Sequence, residues 1–323
     1  MFMKASVVGL GGMGSTHYNM LRVMDDIEII ALVDVEESRV LDKASDCGAR
    51  AYTDLNKMLD NENPDFLIVC TPSYLHCEHA VAAMQKGIHT LVEKPTALNE
   101  EDVKKMWKCA VDNNVMFMTA LVIRFWDEYV WLKNAVDNNT YGKLLHLNMW
   151  RVGERPTYSQ NNWMLDEEKS GLVPFDLHIH DVDFIVYLLG TPEKTDFFQI
   201  NGSPGQYVES IFGYKDGPRV HAKAAWLLSK IPFRSGYEAI FEDGYADFNN
   251  DKLSFYANNG EVTFPVSKAN FEGSEINVSN TSGYTAEIKY FTDCIRTGTF
   301  PSIIKEDELL TAISLIKQYK GLS

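Results

Sequence analysis

The chain is short of positive charge, and it lacks paired cysteines, long hydrophobic runs, internal repeats and low-complexity segments. Thirty Lys and Arg stand against 45 Asp and Glu, a net charge of −15. A surface of that sign repels nucleic acid and anionic membranes, so neither is an expected partner. No apolar stretch reaches the roughly 20 residues that a membrane-spanning helix needs. The N-terminus passes from Lys4 directly into strand-like sequence, with no signal-peptide core or cleavage site, so a cytoplasmic location is expected. The five cysteines (Cys47, Cys70, Cys77, Cys109 and Cys294) form no CxxC pair. Most sit in apolar patterns, which predicts reduced, buried thiols.

What remains is the composition of a globular protein, 45% apolar and 23% charged. At 323 residues it is long for one core and suits two domains. The first third alternates strand and helix patterns: strands near 4–8, 27–33, 66–70, 88–92 and 115–121, with helices between them. That alternation predicts a parallel, doubly wound Rossmann sheet over 1–121, whose ligands lie beyond the carboxyl ends of the strands. From about residue 122 the texture changes. A helix at 127–136 leads to a strand at 144–152, a polar stretch at 153–170, a helix at 175–189 and several strand-like runs. Residues 122–323 therefore read as an α+β domain with a mostly antiparallel open sheet. Its two closing helices, near 285–296 and 306–320, are free to pack back on the first domain. The polar stretch is too long for a plain connector and is a candidate substrate loop.

Gly9-Leu10-Gly11-Gly12-Met13-Gly14 follows the first strand and opens a helix. In such a turn Gly9 permits the tight bend, Gly11 the approach of a pyrophosphate, and Gly14 close helix–strand packing. The anion sits on the helix N-terminus, where free N–H groups and the helix dipole favour it. Asp34 lies 20 residues after Gly14, at the end of the second strand, placed to bond the ribose hydroxyls. A 2′-phosphate there meets like charge, so NAD is favoured over NADP.

Two groups of residues carry chemistry. Glu93-Lys94-Pro95 closes a strand, where Lys94 can bond a substrate hydroxyl and stabilise developing alkoxide charge. Asp176 and His180 are four apart on a predicted helix and share a face, so the carboxylate can orient the imidazole as a general base. A metal site at His178 and His180 is a rival, but on a helix these two diverge by about 200°. His76-Cys77-Glu78-His79 reads as helical surface with one buried cysteine. No metal is expected.

Taken together, these motifs resemble the Gfo/Idh/MocA oxidoreductases, the family of glucose–fructose oxidoreductase and inositol 2-dehydrogenase. The matching residues are the glycine turn, Asp34, Thr71-Pro72 with His76, Glu93-Lys94-Pro95, Arg124-Phe125, and Asp176 with His180 and Asp183. The resemblance implies cofactor contacts at Gly9, Gly11, Gly12, Met13, Gly14, Asp34, Thr71, Pro72, His76, Glu93 and Lys94. It implies a catalytic Lys94 with the Asp176/His180 pair, a sugar, inositol or related polyol as substrate, and a homo-oligomer formed through the open sheet. Arg151, Trp163 and Tyr284 are candidate polyol contacts. Two departures stand out: His178 where many members carry glycine, and Ser170-Gly171-Leu172 where many carry three glycines. An NAD-binding sensor without turnover is the alternative reading, since the glycine turn serves it equally well.

Overall fold

The computed structural model describes residues 2–202, 205–249, 252–264 and 281–321. The chain forms two compact units, Met1–Val122 with Phe271–Glu306 and Ile123–Asn270 with Asp307–Ser323. In the first, β1 (Met3–Val8), β2 (Ile27–Val33), β3 (Arg50–Tyr52), β4 (Phe66–Val69), β5 (His89–Glu93) and β6 (Phe117–Ala120) pair in parallel. Their order is β3-β2-β1-β4-β5-β6. Helices α1 (Gly12–Arg22), α2 (Glu37–Cys47), α3 (Leu55–Asn61), α4 (His76–Gln85) and α5 (Glu100–Asp112) connect them. All four residues of β4 are buried, as expected where helices cover both faces of a sheet. The three-residue strand β3 carries too little pattern to be read from the sequence. Asn99 accepts from Asp102 N and starts α5, and three acidic residues fill its first turn.

The second unit holds α6 (Asp127–Asp137), a long strand β7 (Leu144–Glu154), a short turn of helix α7 (Glu167–Ser170) and α8 (Ile179–Leu189). Seven more strands follow: β8 (Lys194–Gly202), β9 (Gly205–Gly213), β10 (Arg219–Leu227), β11 (Arg234–Phe241), β12 (Gly244–Asn249), β13 (Lys252–Ala257) and β14 (Val262–Thr263). The sheet order is β14-β13-β12-β11-β7-β10-β9-β8. Among the described strands of this sheet only the β7–β10 pair is parallel. Alternation along the strands gives the sheet a buried face with Met149, Ala222, Tyr237 and Phe248 in one register row. The neighbouring row on the other face carries Asn148, His221, Glu238 and Asp247.

The last two helices divide between the units. α9 (Thr281–Thr297) belongs to the first and nearly all of α10 (Glu306–Lys317) to the second. The physical reason for α9 is its buried face. Phe291 and Ile288 are fully buried, and Phe291 meets Phe66 of β4 edge-on at 6.1 Å. Burying each such side chain is worth about 1.5–3 kcal/mol.

The turn between β1 and α1 is tightly packed. Gly9 has φ +84°, and a Cβ there would lie 2.6 Å from the Cys70 carbonyl oxygen. A Cβ on Gly14 would lie 1.7 Å from the Gly9 carbonyl oxygen, whereas one on Gly11 meets nothing within 4 Å. Gly14→Ala is therefore expected to lower the unfolding free energy by about 3 kcal/mol or more, and Gly11→Ala by less than about 1 kcal/mol. Urea denaturation of both variants tests this; equal losses would contradict the packing argument.

Candidate active site

The glycine turn meets the requirements of an anion cradle. Gly11 caps α1 without a side-chain hydrogen bond, and the first turn of that helix carries no acidic residue. Gly11 and Gly12 are exposed and Met13 partly so. The first-turn N–H groups therefore have no side-chain acceptor in the cap, and a Cβ on Gly11 would meet open space, which fits a dinucleotide pyrophosphate.

Asp34 does more here than the sequence suggests. It is buried; its Oδ2 accepts from Leu10 N at 2.6 Å and its Oδ1 from Glu36 N at 2.8 Å. Arg39 Nη1 also lies 3.0 Å and 3.2 Å from the two oxygens. The carboxylate thus braces the glycine turn from the end of β2, and a cation already shares it.

Two residues expected to touch cofactor are turned toward protein partners. His76 is buried, with Nδ1 2.8 Å from the Pro95 carbonyl and Nε2 2.8 Å from the Thr71 carbonyl. It bolts the end of β4 to the loop after β5. Burial lowers its pKa, outweighing the two carbonyls and nearby Glu93. Glu93 is also buried; its Oε1 lies 2.7 Å from His17 Nε2 and its Oε2 accepts from Lys94 N at 3.0 Å. Burial pushes the Glu93 carboxyl up, but His17 and Lys94 outweigh it and hold the group below the ordinary range. Both residues therefore shape the loop that presents Lys94. The Lys94–Pro95 peptide is cis, and Lys94 itself is partly buried. Thr71 and Pro72 are also partly buried, and Thr71 Oγ1 lies 3.0 Å from His79 Nδ1.

Near Glu93 lies a second buried carboxyl that sequence reasoning missed. Glu287 of α9 is fully buried with neither carboxyl oxygen hydrogen-bonded. Burial, and then Glu93, push its pKa well up. The same two glutamates add to burial in raising the Cys70 thiol. Tyr284, expected as a polyol contact, is buried in this unit with its ring edge-on to His17 at 5.9 Å. The one sequence signal for His17 is its place three residues after Gly14, on the side of α1 that is buried.

In the second unit the helix expected over 175–189 is two segments. Pro174–His178 is a π-helical turn, and α8 begins at Ile179. The i, i+4 argument for Asp176 and His180 assumed a regular α-helix, and the wider turn departs from it. Both residues are partly buried. Trp226 of β10 donates from its indole Nε1 to Asp176 Oδ2 at 3.2 Å, a partner 50 residues away that no local pattern signals. Trp163 packs on the apolar cluster of Met164, Val173, Val208, Ala224, Trp226 and Tyr319. It comes from the segment read as a substrate loop, which folds into 3-10 turns over Gln160–Leu165, kinked at the left-handed Asn161 and Asn162, followed by α7. Leu172, also packed there, takes the left-handed φ of +56° that glycine adopts without strain. Ser170 Oγ accepts from Leu172 N at 2.9 Å and holds it so.

Arg151, another expected polyol contact, is instead buried. It bonds Asp181 Oδ1 at 3.0 Å and the Tyr129 hydroxyl at 3.1 Å. His178 is fully buried; its Nε2 lies 2.8 Å from Ser210 Oγ, which in turn lies 2.7 Å from the Tyr319 hydroxyl. The added imidazole is a core hydrogen-bonding group. Arg124 and Asp183 form a further buried ion pair of this unit, joined through two N–H groups at 2.9 Å and 2.7 Å, with Glu308 on the remaining side at 2.6 Å. Among the described residues no group of three or more His, Cys, Asp or Glu could hold a metal ion, and no helix is long and apolar enough to cross a membrane.

A parallel sheet with a glycine-turn anion cradle, followed by an α+β unit, defines the class of two-unit nicotinamide-dependent oxidoreductases. Residues 3–121 match the family model described as oxidoreductase family, NAD-binding Rossmann fold, and residues 129–245 match the Gfo/Idh/MocA C-terminal domain. The chain belongs to the Gfo/Idh/MocA oxidoreductase family. It is 30% identical over 245 residues to 2,7-anhydro-N-acetylneuraminate hydratase of Mediterraneibacter gnavus, which covers 75% of this chain and 61% of that protein. It is 32% identical over 190 residues to myo-inositol 2-dehydrogenase of Thermotoga maritima, covering 58% of this chain and 55% of that one. These matches thus span little more than half of the curated relatives' length. An oxidoreductase from Agrobacterium radiobacter, solved with NAD+, L-tartaric acid and magnesium, superposes with a TM-score of 0.85 at 15% identity. That superposition covers 100% of this chain and 96% of the other.

The burial of His178 has a measurable consequence. Burial, with Arg151 nearby, pushes its pKa from 6.5 down to about 3. Below 6.5 the unfolded chain binds a proton that the folded chain refuses, so this residue costs stability as pH falls toward 3. Between about pH 7 and about pH 5 a His178→Asn variant should lose about 2 kcal/mol less unfolding free energy than the wild type. Denaturant titrations at both pH values measure it; equal losses would place His178 in contact with water.

Proposed function

We propose that the protein is an NAD-dependent dehydrogenase that oxidises a secondary alcohol of a sugar, inositol or related polyol. The observation that carries this reading is the pairing of an anion cradle at Gly9–Gly14 with a lysine held at the end of β5 by Glu93 and His76. The relative named as a myo-inositol dehydrogenase supports the substrate class. The first-turn N–H groups of α1 hold the pyrophosphate, and Asp34 serves the adenosine ribose. Bound NAD supplies the hydride acceptor at its nicotinamide ring. In this reading Lys94 donates from its ammonium group to the alcohol oxygen and favours the alkoxide. His180 accepts the hydroxyl proton, and Asp176, steadied by Trp226, favours the imidazolium that results. Trp163 supplies an apolar ring face for the polyol.

The relative named as a hydratase supports a second reading, in which the product of an anhydro sugar carries no net oxidation. Product analysis separates the two, because only the dehydrogenase accumulates NADH. A homo-oligomer is part of the proposal. Phe198, Ile240 and Tyr256 are 55%, 42% and 44% exposed on the second sheet.

A screen of inositols, aldoses and sugar acids for NADH absorbance identifies the substrate. With it, Lys94→Ala is expected to lower kcat/KM about 100- to 1000-fold while leaving the NADH dissociation constant within about threefold. Full turnover in that variant would remove Lys94 from the chemistry. NADH binding without turnover on any substrate would favour the sensor.

A further inference from the structure

Asp176 lies inside the π-helical turn Pro174–His178, and His180 is the second residue of α8. The direction of each toward the other is therefore a property of that turn. Single π turns are rare, and the local sequence pattern favours ordinary helix, so the wide turn needs support from outside itself. His178, its last residue, receives that support. Its Nε2 lies 2.8 Å from Ser210 Oγ of β9 and 3.3 Å from the Tyr319 hydroxyl, and those two oxygens are 2.7 Å apart. All three residues are buried. Among the described residues His178 Nδ1 has no hydrogen-bond partner, so the imidazole is held from this one side. An apolar side chain would fill the same volume without an unpaired nitrogen, so the ring contributes direction as well as bulk.

Tyr319 stands in the 3-10 turn Gln318–Gly321 that follows α10. Its ring meets Phe197 edge-on at 5.1 Å and His178 at 5.7 Å. It also belongs to the buried cluster that contains Val173, the residue before the π turn, and Trp226, which bonds Asp176. The ring thus packs with the residues on one side of the turn while the hydroxyl reaches its far end. We propose that Tyr319 and His178 are positioning residues for the Asp176/His180 pair: the Tyr319 hydroxyl, with Ser210, holds the His178 imidazole, and that ring holds the wide turn in which the pair is set. Without the link the turn relaxes toward regular helix, and Asp176 and His180 lose their mutual direction.

The inference rests on the reading of Asp176 and His180 as the acid–base pair. Hydrogen exchange of the intact protein, followed by mass spectrometry without substrate, reads the turn itself. In Tyr319→Phe and in Ser210→Ala, exchange in a peptide spanning 174–181 should speed up about threefold or more, with the β1–α1 peptide unchanged. With a substrate from the NADH screen, each variant should lose kcat about 3- to 10-fold, while KM and the NADH dissociation constant stay within about twofold. The double variant should lose no more than the weaker single one, because both cut the same link. Unchanged exchange, faster exchange with wild-type kcat, or additive losses would overturn the inference. An inactive His180→Gln beside a fully active Tyr319→Phe removes this inference alone. Full turnover in His180→Gln, or no turnover by the wild type on any substrate, removes the acid–base reading and this inference with it. Thermal melts establish that the variants are folded, and Ser210→Ala cuts the link from its other end should Tyr319→Phe not fold.

Discussion

The first unit depends on one steric contact, the approach of the Gly14 α-carbon to the carbonyl oxygen of Gly9. No side chain fits between them, because a Cβ would sit 1.7 Å from that oxygen. The contact fixes where α1 begins relative to the end of β1. That in turn decides where its first N–H groups point and where His17, one helical turn further on, meets Glu93. The same crowding presses Gly9 against Cys70 at the end of β4. Three strand ends and a helix start are therefore located together, and the proposed nucleotide site inherits its shape from backbone packing.

Around that contact the protein uses buried polar groups as braces. His17 and His76 hold the two sides of the loop that carries Lys94. Asp34 holds the glycine turn from the other side. The second unit repeats the pattern: Arg124 binds Asp183 and Glu308, Arg151 binds Asp181, and His178 binds Ser210. Each is a charged or polar side chain removed from water, which is tolerable only when it is hydrogen-bonded. Glu287 is buried without a hydrogen bond to either carboxyl oxygen, and burial pushes its pKa well up, which lowers the cost of leaving it unpaired. Residues that a motif associates with a ligand can thus act one step away from it, by holding the group that would touch the ligand.

The elements with strong periodicity were legible in the sequence. β2 at Ile27–Val33, α2 up to Cys47 and α5 up to Asp112 fall where apolar spacing and capping residues put them. The glycine turn was legible too, because its spacing has a steric meaning that does not depend on distant residues. The three residues of β3 were not, since they pair only at a sheet edge. Nor was the π-helical turn over Pro174–His178, where the local pattern reads as ordinary helix. Arg151 and Tyr284 were read as candidate polyol contacts from residue type alone. Their burial follows from strand parity and from the packing of α9, which only the assembled units reveal.

By itself the sequence determined the class of fold and the place of the cofactor turn, because periodicity, glycine spacing and strand ends are local properties of the chain. Tertiary structure alone decided which polar side chains serve as braces and which remain for chemistry. It set His76 between two carbonyls, brought Trp226 to Asp176 across 50 residues, and laid Arg39 against Asp34. Hydrogen-bond partners over such distances are chosen by sheet order, strand register and helix packing, and no spacing along the chain encodes them.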